Sequence, residues 1–219
     1  MTEDVRRASG NLYHPFRIPE STWKTIRVLC KNFNESDFWR DTSALDELKR
    51  HFGQADGNVV LTPPFYCDCG NHIFFQGRFY ANTGLTILDE ADTIFGADVL
   101  LGPHVSIYTA AHPIDAAVRR LGLEYALPVR IGNQVWIGGN TVINPGVTIG
   151  DDVVIGSGSV VVGDVPSHVV AAGNPCRVIR PISEEDHRYW SEQLEQYQYD
   201  PDILAAGAKE RSEQWKCRK

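Results

Sequence analysis

The sequence predicts a mainly β protein whose chain coils as a prism between an N-terminal helical cap and a C-terminal helical tail. The main observation is a period of six: an aliphatic residue returns at Ile131, Ile137, Ile143, Ile149, Ile155 and Val161. A small or β-branched residue follows each of them at Val135, Thr141, Val147, Val153, Ser159 and Val165. A helix repeats about every 3.6 residues and a flat strand every two, so this period indicates short strands joined by corners.

Residues 1–60 form the predicted cap. Apolar residues recur at helical spacing from Trp23 to Leu29, and segment 43–52 has a similar pattern before Gly53. The two segments predict short amphipathic helices, and we place the start of the prism at residue 61.

The prism is predicted over residues 61–182. Gly, Asn, Asp or Pro follow many of the periodic aliphatic residues, where corners need turn conformations. The rhythm also occurs upstream, more loosely. Residues 113–130 break it with charge and proline, and we interpret them as an extruded loop behind which the coil resumes in register. Loops on a rigid scaffold commonly carry function.

Residues 183–219 form the predicted tail. Pro181 ends the coil, and the segment from Ser183 to Asp186 has the pattern of a capping box that opens a helix. The segment that follows is amphipathic and polar.

Charge and cysteine content limit the possible functions. The formal net charge of −7 disfavours nucleic acid and acidic membrane surfaces as partners. We see neither a signal peptide nor a run of roughly 18 apolar residues that could span a membrane. The five cysteines are odd in number and scattered, so no disulfide framework is predicted. We expect a cytoplasmic protein without a metal site, because Cys67 and Cys69 lack a second cysteine pair at zinc spacing.

Several stretches of the prism closely resemble the sugar O-acetyltransferases of the hexapeptide-repeat superfamily, the maltose, galactoside and nodulation acetyltransferase group. The stretches are PPFYCDCGNHI (63–73), YANTGLTILD (80–89), GPHVSIYTAAHPIDAAVRRLGLEY (102–125), VWIGGNTVINPGVTIGDDVVIGSGSVV (135–161) and AAGNPCRVIRPI (171–182). The loop from TAAHPID to GLEY is more specific than the repeat, and GNLYHPF (10–16) resembles the group's maltose-acetyltransferase-type cap.

The resemblance implies a left-handed parallel β-helix, a homotrimer with active sites between subunits, acetyl-CoA as donor and a sugar as acceptor. A trimer also suits the shape of the prism, because one convex prism offers no deep cleft whereas two side by side do.

Acetyl transfer to a hydroxyl requires a base, because an alcohol attacks poorly while it keeps its proton. Histidine titrates near neutrality and can take that proton. His112 matches the catalytic histidine of the group. The resemblance also places Asp68, Asn82 and Glu124 in the acceptor site, and in some members Glu90. Asn82 is further expected to hold the reacting groups.

Coenzyme A is long and carries phosphates, so it suits a groove lined by backbone amides with arginines at its nucleotide end. The resemblance assigns the phosphates to Arg177 and Arg180. It assigns the pantetheine arm to Gly139, Ser157, Val162 and Gly163. Trp136 is expected to flank the cofactor channel, with a role in the trimer interface as the alternative.

This sequence departs from the group at two positions. Gly163 stands where some members carry a lysine, so one phosphate contact of the cofactor is expected to be lost or supplied elsewhere. Pro15 stands where some members carry an aspartate that contacts the acceptor, which leaves the acceptor open. One alternative is therefore an acetyltransferase for an amino-sugar, polyol or other non-sugar acceptor. Another is a non-catalytic trimeric β-helix that serves as a binding module, which the joint presence of His112, Asn82 and Arg177 disfavours.

Overall fold

A computed structural model of the protein describes residues 1–19 and 21–200, without the side chains of residues 21 and 22. By its internal contacts the chain divides into two units, Met1–Pro181 and Ile182–Lys219. The first unit contains the cap and the prism, and the described part of the second contains a helix.

The cap contains α1 (Glu3–Ala8), a 3-10 helix (Pro15–Arg17), α2 (Ser21–Asn34) and α3 (Ser43–Lys49). The two segments with helical spacing in the sequence are α2 and α3. Their buried residues Ile26, Leu29, Phe33, Leu45 and Leu48 belong to the same hydrophobic cluster as the interior of the prism. These helices therefore close one end of its core.

Each coil of the prism contributes three short strands. Coil one contains β1 (Gln54–Ala55), β2 (Val59–Leu61) and β3 (Phe65–Cys67), and coil two contains β4 (Ile73–Phe75), β5 (Phe79–Ala81) and β6 (Leu85–Leu88). Coil three contains β7 (Thr93–Phe95), β8 (Val99–Leu101) and β9 (Ser106–Tyr108), and is followed by a hairpin of β10 (Ala110–Ala111) and β11 (Tyr125–Ala126). Coil four contains β12 (Val129–Ile131), β13 (Trp136–Ile137) and β14 (Val142–Ile143), and coil five contains β15 (Thr148–Ile149), β16 (Val153–Ile155) and β17 (Val160–Val161). The last strands are β18 (Val169–Ala172) and β19 (Arg177–Pro181).

The strands stack into three sheets. The first is β1-β4-β7-β12-β15, the second is β2-β5-β8-β13-β16-β18-β19, and the third is β3-β6-β9-β14-β17. Their pairs are parallel, except that β19 runs antiparallel to β18. The prediction of a mainly β parallel β-helix is confirmed. Its first coil begins at Gln54 rather than at residue 61, because strands of two or three residues leave little periodic signal at the start.

Both periodic series point into the prism. Ile131, Ile137, Ile143, Ile149, Ile155 and Val161 are at most 3% exposed, and Val135, Thr141, Val147, Val153, Ser159 and Val165 are buried too. Each repeat of six residues directs two side chains into the prism, so stacking the coils produces a continuous apolar column.

Two of the three edges of the prism matter for the site. We call the turn from the second sheet to the third the second corner (residues 62–64, 82–84, 102–105, 138–141 and 156–159). We call the turn from the third sheet back to the first the third corner (residues 68–72, 89–92, 109–128, 144–147 and 162–164). The interruption in the sequence pattern falls in the third corner of coil three. There the hairpin carries α4 (Ala116–Arg119), which Asp115 caps, and coil four then resumes with Val129 paired to Thr93.

In the second unit, α5 (Glu184–Gln198) begins with a capping box. The Ser183 hydroxyl accepts the Asp186 N–H, and the Asp186 carboxylate accepts the Ser183 N–H at 2.9 Å. The remainder of the predicted tail, residues 201–219, lies outside the described residues.

Candidate active site

His112 lies at the base of the hairpin, directly after β10. Its Nδ1 is 3.3 Å from the backbone oxygen of Leu123, and its Nε2 is 3.8 Å from Oε1 of Glu124. A carbonyl oxygen only accepts hydrogen bonds, so in the tautomer whose Nδ1–H donates to it the lone pair is on Nε2. The side chain is 57% exposed. His112 therefore presents a basic nitrogen to an open site, beside a carboxylate.

Glu124 is fixed by the cap. Tyr13 and Glu124 form a backbone bridge, with N–H to O distances of 2.9 and 3.0 Å, and the Tyr13 hydroxyl donates to Oε2 of Glu124 at 2.9 Å. Tyr13 is fully buried. Burial, together with the Glu90 and Glu124 carboxylates, raises the pKa of Tyr13, so the phenol remains a donor. Tyr13 belongs to the cap motif GNLYHPF, but no pattern in the sequence predicted this role for it.

Asp68 follows β3 in the same corner. Burial, aided by the Glu90 and Glu124 carboxylates and opposed by Arg27, raises the pKa of Asp68 to about 6. Asp68 also lines a cavity of about 430 Å³ between α2 and β3, together with Arg27, Cys30, Lys31, Asn34, Glu35, Tyr66 and Cys67. The third corner thus brings Asp68, Glu124 and His112 into one region, and the cavity adjoins this region at Asp68.

Glu90 is more enclosed than the other acceptor candidates. It is only 6% exposed, and its Oε2 accepts a hydrogen bond from Nη1 of Arg7 at 2.8 Å. Arg7 comes from α1 and is equally buried. A buried carboxylate needs such a partner, because unpaired charge is strongly disfavoured there. A direct acceptor contact by Glu90 stays a prediction.

Asn82 lies elsewhere, in the second corner. The side-chain Oδ1 of Asn82 accepts the Thr83 N–H at 2.8 Å, and the backbone N–H of Asn82 donates to the backbone oxygen of Leu101. Gly139 and Ser157 follow in the same corner, on later coils. Within one chain, the structure therefore separates these three candidates from His112.

The remaining cofactor candidates are exposed. Trp136 is about half exposed on the outer face of the second sheet, and Val162 is similarly exposed in the third corner. Arg177 and Arg180 lie on β19 with exposed side chains.

The corner glycines differ in the space around them. A Cβ on Gly139 would come within 2.9 Å of the Pro103 oxygen, so packing between coils alone explains that glycine. A Cβ on Gly163 would meet nothing within 4 Å. The accessible backbone at Gly163 and the two exposed guanidinium groups fit a long, phosphate-bearing ligand.

Among residues 1–19 and 21–200, no group of three or more His, Cys, Asp or Glu side chains is placed to hold a metal ion. None of the helices in this range is both long and apolar enough to cross a membrane.

Known proteins share this architecture. The family described as "Bacterial transferase hexapeptide (six repeats)" matches residues 128–163. A putative acetyltransferase of Saccharomyces cerevisiae is 53% identical over 74% of this chain and 83% of its own length. The galactoside O-acetyltransferase of Escherichia coli is 41% identical over 87% of this chain and 93% of its own. A solved galactoside acetyltransferase in complex with coenzyme A superimposes with a TM-score of 0.81 at 39% identity, covering 85% of this chain and 94% of that chain.

Proposed function

The chain belongs to the hexapeptide-repeat family of acetyltransferases, and we propose that it transfers an acetyl group from acetyl-CoA to a hydroxyl of a sugar or glycoside, with His112 as general base. The observation that carries this proposal is the contact of His112 Nδ1 with the Leu123 carbonyl, which leaves Nε2 basic beside Glu124. A galactoside is the first acceptor to test, because it is the substrate in the name of the E. coli relative.

In this mechanism, acetyl-CoA supplies the acetyl group as a thioester. Nε2 of His112 takes the proton of the acceptor hydroxyl as its oxygen forms a bond to the acetyl carbon. The Glu124 carboxylate, 3.8 Å away, stabilises the imidazolium that results. When the carbon–sulfur bond breaks, the imidazolium returns the proton to the thiolate, and the histidine is ready for another cycle.

The acceptor is expected to lie over the third corner. Sugar hydroxyls donate well to carboxylate oxygens, and Asp68 and Glu124 provide such oxygens in the same corner as His112. Glu90 contributes to acceptor binding through its ion pair with Arg7 and through its negative charge. It would contact the acceptor directly if the acceptor displaced Arg7 from the Glu90 carboxylate. The cavity beside Asp68 gives room for the part of a glycoside that does not react.

The complete site needs a second copy of the chain. Asn82, Gly139 and Ser157 lie in the second corner, so they can meet His112 only across an interface. The outer face of the second sheet supports such an interface, because Tyr80, Leu100 and Trp136 are register partners on neighbouring strands and are all exposed. An exposed apolar stripe of this kind favours self-association, and a closed ring of three copies gives three equivalent sites.

Acetyl-CoA is proposed to lie in the groove between two copies. Gly139 and Ser157 would offer backbone groups from one wall, and Val162 and Gly163 from the other. Arg177 and Arg180 would bind the phosphates, and Trp136 would flank the channel. Asn82 would contact both the acceptor and the thioester end. We also propose a cytoplasmic location, supported by the buried free thiols Cys30, Cys67, Cys69 and Cys176.

One observation favours a second acceptor class. Asp68 and Glu124 place negative charge near His112, and an amino-sugar would bring a compensating ammonium group. Pro15 opens the 3-10 helix and supplies no side-chain acceptor of its own. An amino-sugar acceptor therefore belongs in the first substrate panel.

The deciding experiment is a thiol-release assay with acetyl-CoA and a panel of galactosides, glucosides, maltose, amino-sugars and simple alcohols. We expect His112→Ala to lower kcat by roughly 10²–10⁴-fold while acetyl-CoA binding persists. His51→Ala is a matched control, because the exposed His51 also has Nδ1 3.3 Å from a backbone oxygen, that of Glu47. Full turnover by a folded, trimeric His112→Ala protein would refute the role of His112, and failure to bind acetyl-CoA at all would favour a non-catalytic scaffold.

A further inference from the structure

A carboxyl group inside the prism holds the turn that carries Asp68. Asp89 follows β6 and is fully buried. Its Oδ1 accepts the backbone N–H groups of Asp68 and Cys69, both at 2.9 Å. Its Oδ2 has no hydrogen-bond partner within the described residues. One oxygen of the Asp89 carboxyl, in coil two, therefore anchors the turn that follows β3 in coil one.

The interior position of Asp89 is costly. Burial raises the pKa of Asp89 to about 7 against the hydrogen bonds from Cys69 and Asp68, which lower it. Polar groups are retained in such places when they satisfy other polar groups or serve function. At a different corner an exposed carboxylate makes a similar contact: Asp151 accepts the Asn133 N–H at 2.6 Å.

The fixed turn determines the position of the Asp68 Cα and therefore the direction in which the Asp68 side chain extends. The two hydrogen bonds hold the N–H groups of Asp68 and Cys69, so they fix the peptide planes on both sides of the Asp68 Cα. Glu90, the residue after Asp89, is held in turn by Arg7. The Asp89–Glu90 pair thus ties coil one on one side and the cap on the other.

We propose that Asp89 is a positioning residue for the acceptor: it holds residues 68 and 69 so that the Asp68 carboxylate is directed at the acceptor. This inference rests on the proposed function, in which Asp68 contacts the acceptor. The role is hydrogen-bond acceptance by Oδ1, so an amide oxygen at the same place can perform it and a methyl group cannot.

The test compares Asp89→Ala with Asp89→Asn in steady-state kinetics, with acetyl-CoA and methyl β-galactoside or the best acceptor of the panel. We expect Asp89→Ala to raise the acceptor KM by about tenfold, equivalent to loss of about one good hydrogen bond, with the acetyl-CoA KM unchanged. Asp89→Asn should keep an acceptor KM close to that of the wild type. Asp151→Ala is the matched control, since it removes the same type of turn contact away from the site, and its acceptor KM should not change.

A double-mutant cycle separates this inference from the proposed function. If Asp89 acts through Asp68, adding Asp89→Ala to Asp68→Ala should not raise the acceptor KM further. An undiminished effect in the Asp68→Ala background, or an unchanged KM in Asp89→Ala alone, overturns the positioning role. A normal acceptor KM in Asp68→Ala alone instead refutes Asp68 as an acceptor contact, which belongs to the proposed function.

A second readout does not depend on turnover. Amide hydrogen exchange at residues 68 and 69 should accelerate by at least about tenfold in Asp89→Ala and remain slow in Asp89→Asn. If Asp89→Ala does not fold, Asp89→Thr, whose hydroxyl is too short to bridge both N–H groups, replaces it in both measurements. Equal protection of the two amides in wild type and variant overturns the proposal.

Discussion

The buried carboxyl of Asp89 should make the protein less stable at neutral pH than at mildly acidic pH, and Asp89→Asn should remove that dependence. The pKa of Asp89 is about 7 in the folded protein and about 3.8 when it is exposed. A raised folded pKa means that the stabilising contribution is fully present below about pH 3.8 and is lost as the pH rises to about 7. Asparagine keeps an oxygen for the Asp68 and Cys69 N–H groups but never ionises.

The size of the effect follows from that interval. About three pH units at about 1.4 kcal/mol each give a relative stabilisation of Asp89→Asn of about 4 kcal/mol above pH 7. Near pH 4 the pH-dependent part of the difference should approach zero, because both side chains are then neutral in the folded state. The comparison between variants cancels the titration of the other carboxyl groups.

The assay is chemical denaturation of both proteins at fixed concentration, repeated at intervals between pH 4 and pH 8. We expect the two unfolding free energies to separate steadily up to about pH 7 and to remain parallel above it. Asp151→Asn is the control: Asp151 is exposed and its pKa is lowered by the Asn133 hydrogen bonds, so its difference from wild type should stay flat from pH 5 to pH 8. A separation that is constant across the whole range would refute the reasoning about Asp89.

Three further outcomes are expected. Arg7→Ala leaves the Glu90 carboxylate buried and unpaired, so it should lower the unfolding free energy by about 3–5 kcal/mol; denaturation curves should show partial recovery when Glu90→Gln is added, and no recovery would contradict the ion pair as the cause. Trp136→Asp should weaken self-association by about 2 kcal/mol or more, seen as a shift to smaller species in sedimentation velocity, whereas an unchanged profile would remove the second sheet from the interface. Gly102→Ala would place a Cβ 2.5 Å from the Gly139 nitrogen and should cost about 1–3 kcal/mol in thermal unfolding, with Gly163→Ala as a near-neutral comparison because that position is open.

The sequence is enough to predict the six-residue repeat and the residues that are buried inside the prism. A period of six places Ile131 and its equivalents in the same orientation on every coil, so their burial follows without knowledge of neighbouring coils. The contacts of the third corner have no such local signal. Arg7 and Glu90 are 83 residues apart, and no spacing rule links an N-terminal helix to the end of β6. The contact between Asp89 and Asp68 spans 21 residues, about one coil, and could be found only once the coil register was known.

The orientation of His112 shows a different limit. Its partner is the Leu123 carbonyl, a group that every residue carries, so no residue type in the sequence indicates this contact. What makes the contact possible is the hairpin, in which Ala111 pairs with Tyr125 and returns the chain to the base of the loop. Tyr13 then fixes Glu124 from the cap. The proposed base, His112, is therefore held by backbone geometry, whereas the Glu124 carboxylate beside it depends on a particular side chain.

This division suggests where acceptor preference is encoded. The coils supply a rigid frame, and their buried column is nearly independent of what binds outside. Asp68, Glu90 and Glu124 each depend on a contact from outside their own coil: the Asp89 carboxyl, the Arg7 guanidinium and the Tyr13 hydroxyl. Two of these contacts come from the N-terminal cap. If these carboxylates contact the acceptor as proposed, changes in the cap can redirect them without disturbing His112, whose anchor lies within the hairpin itself.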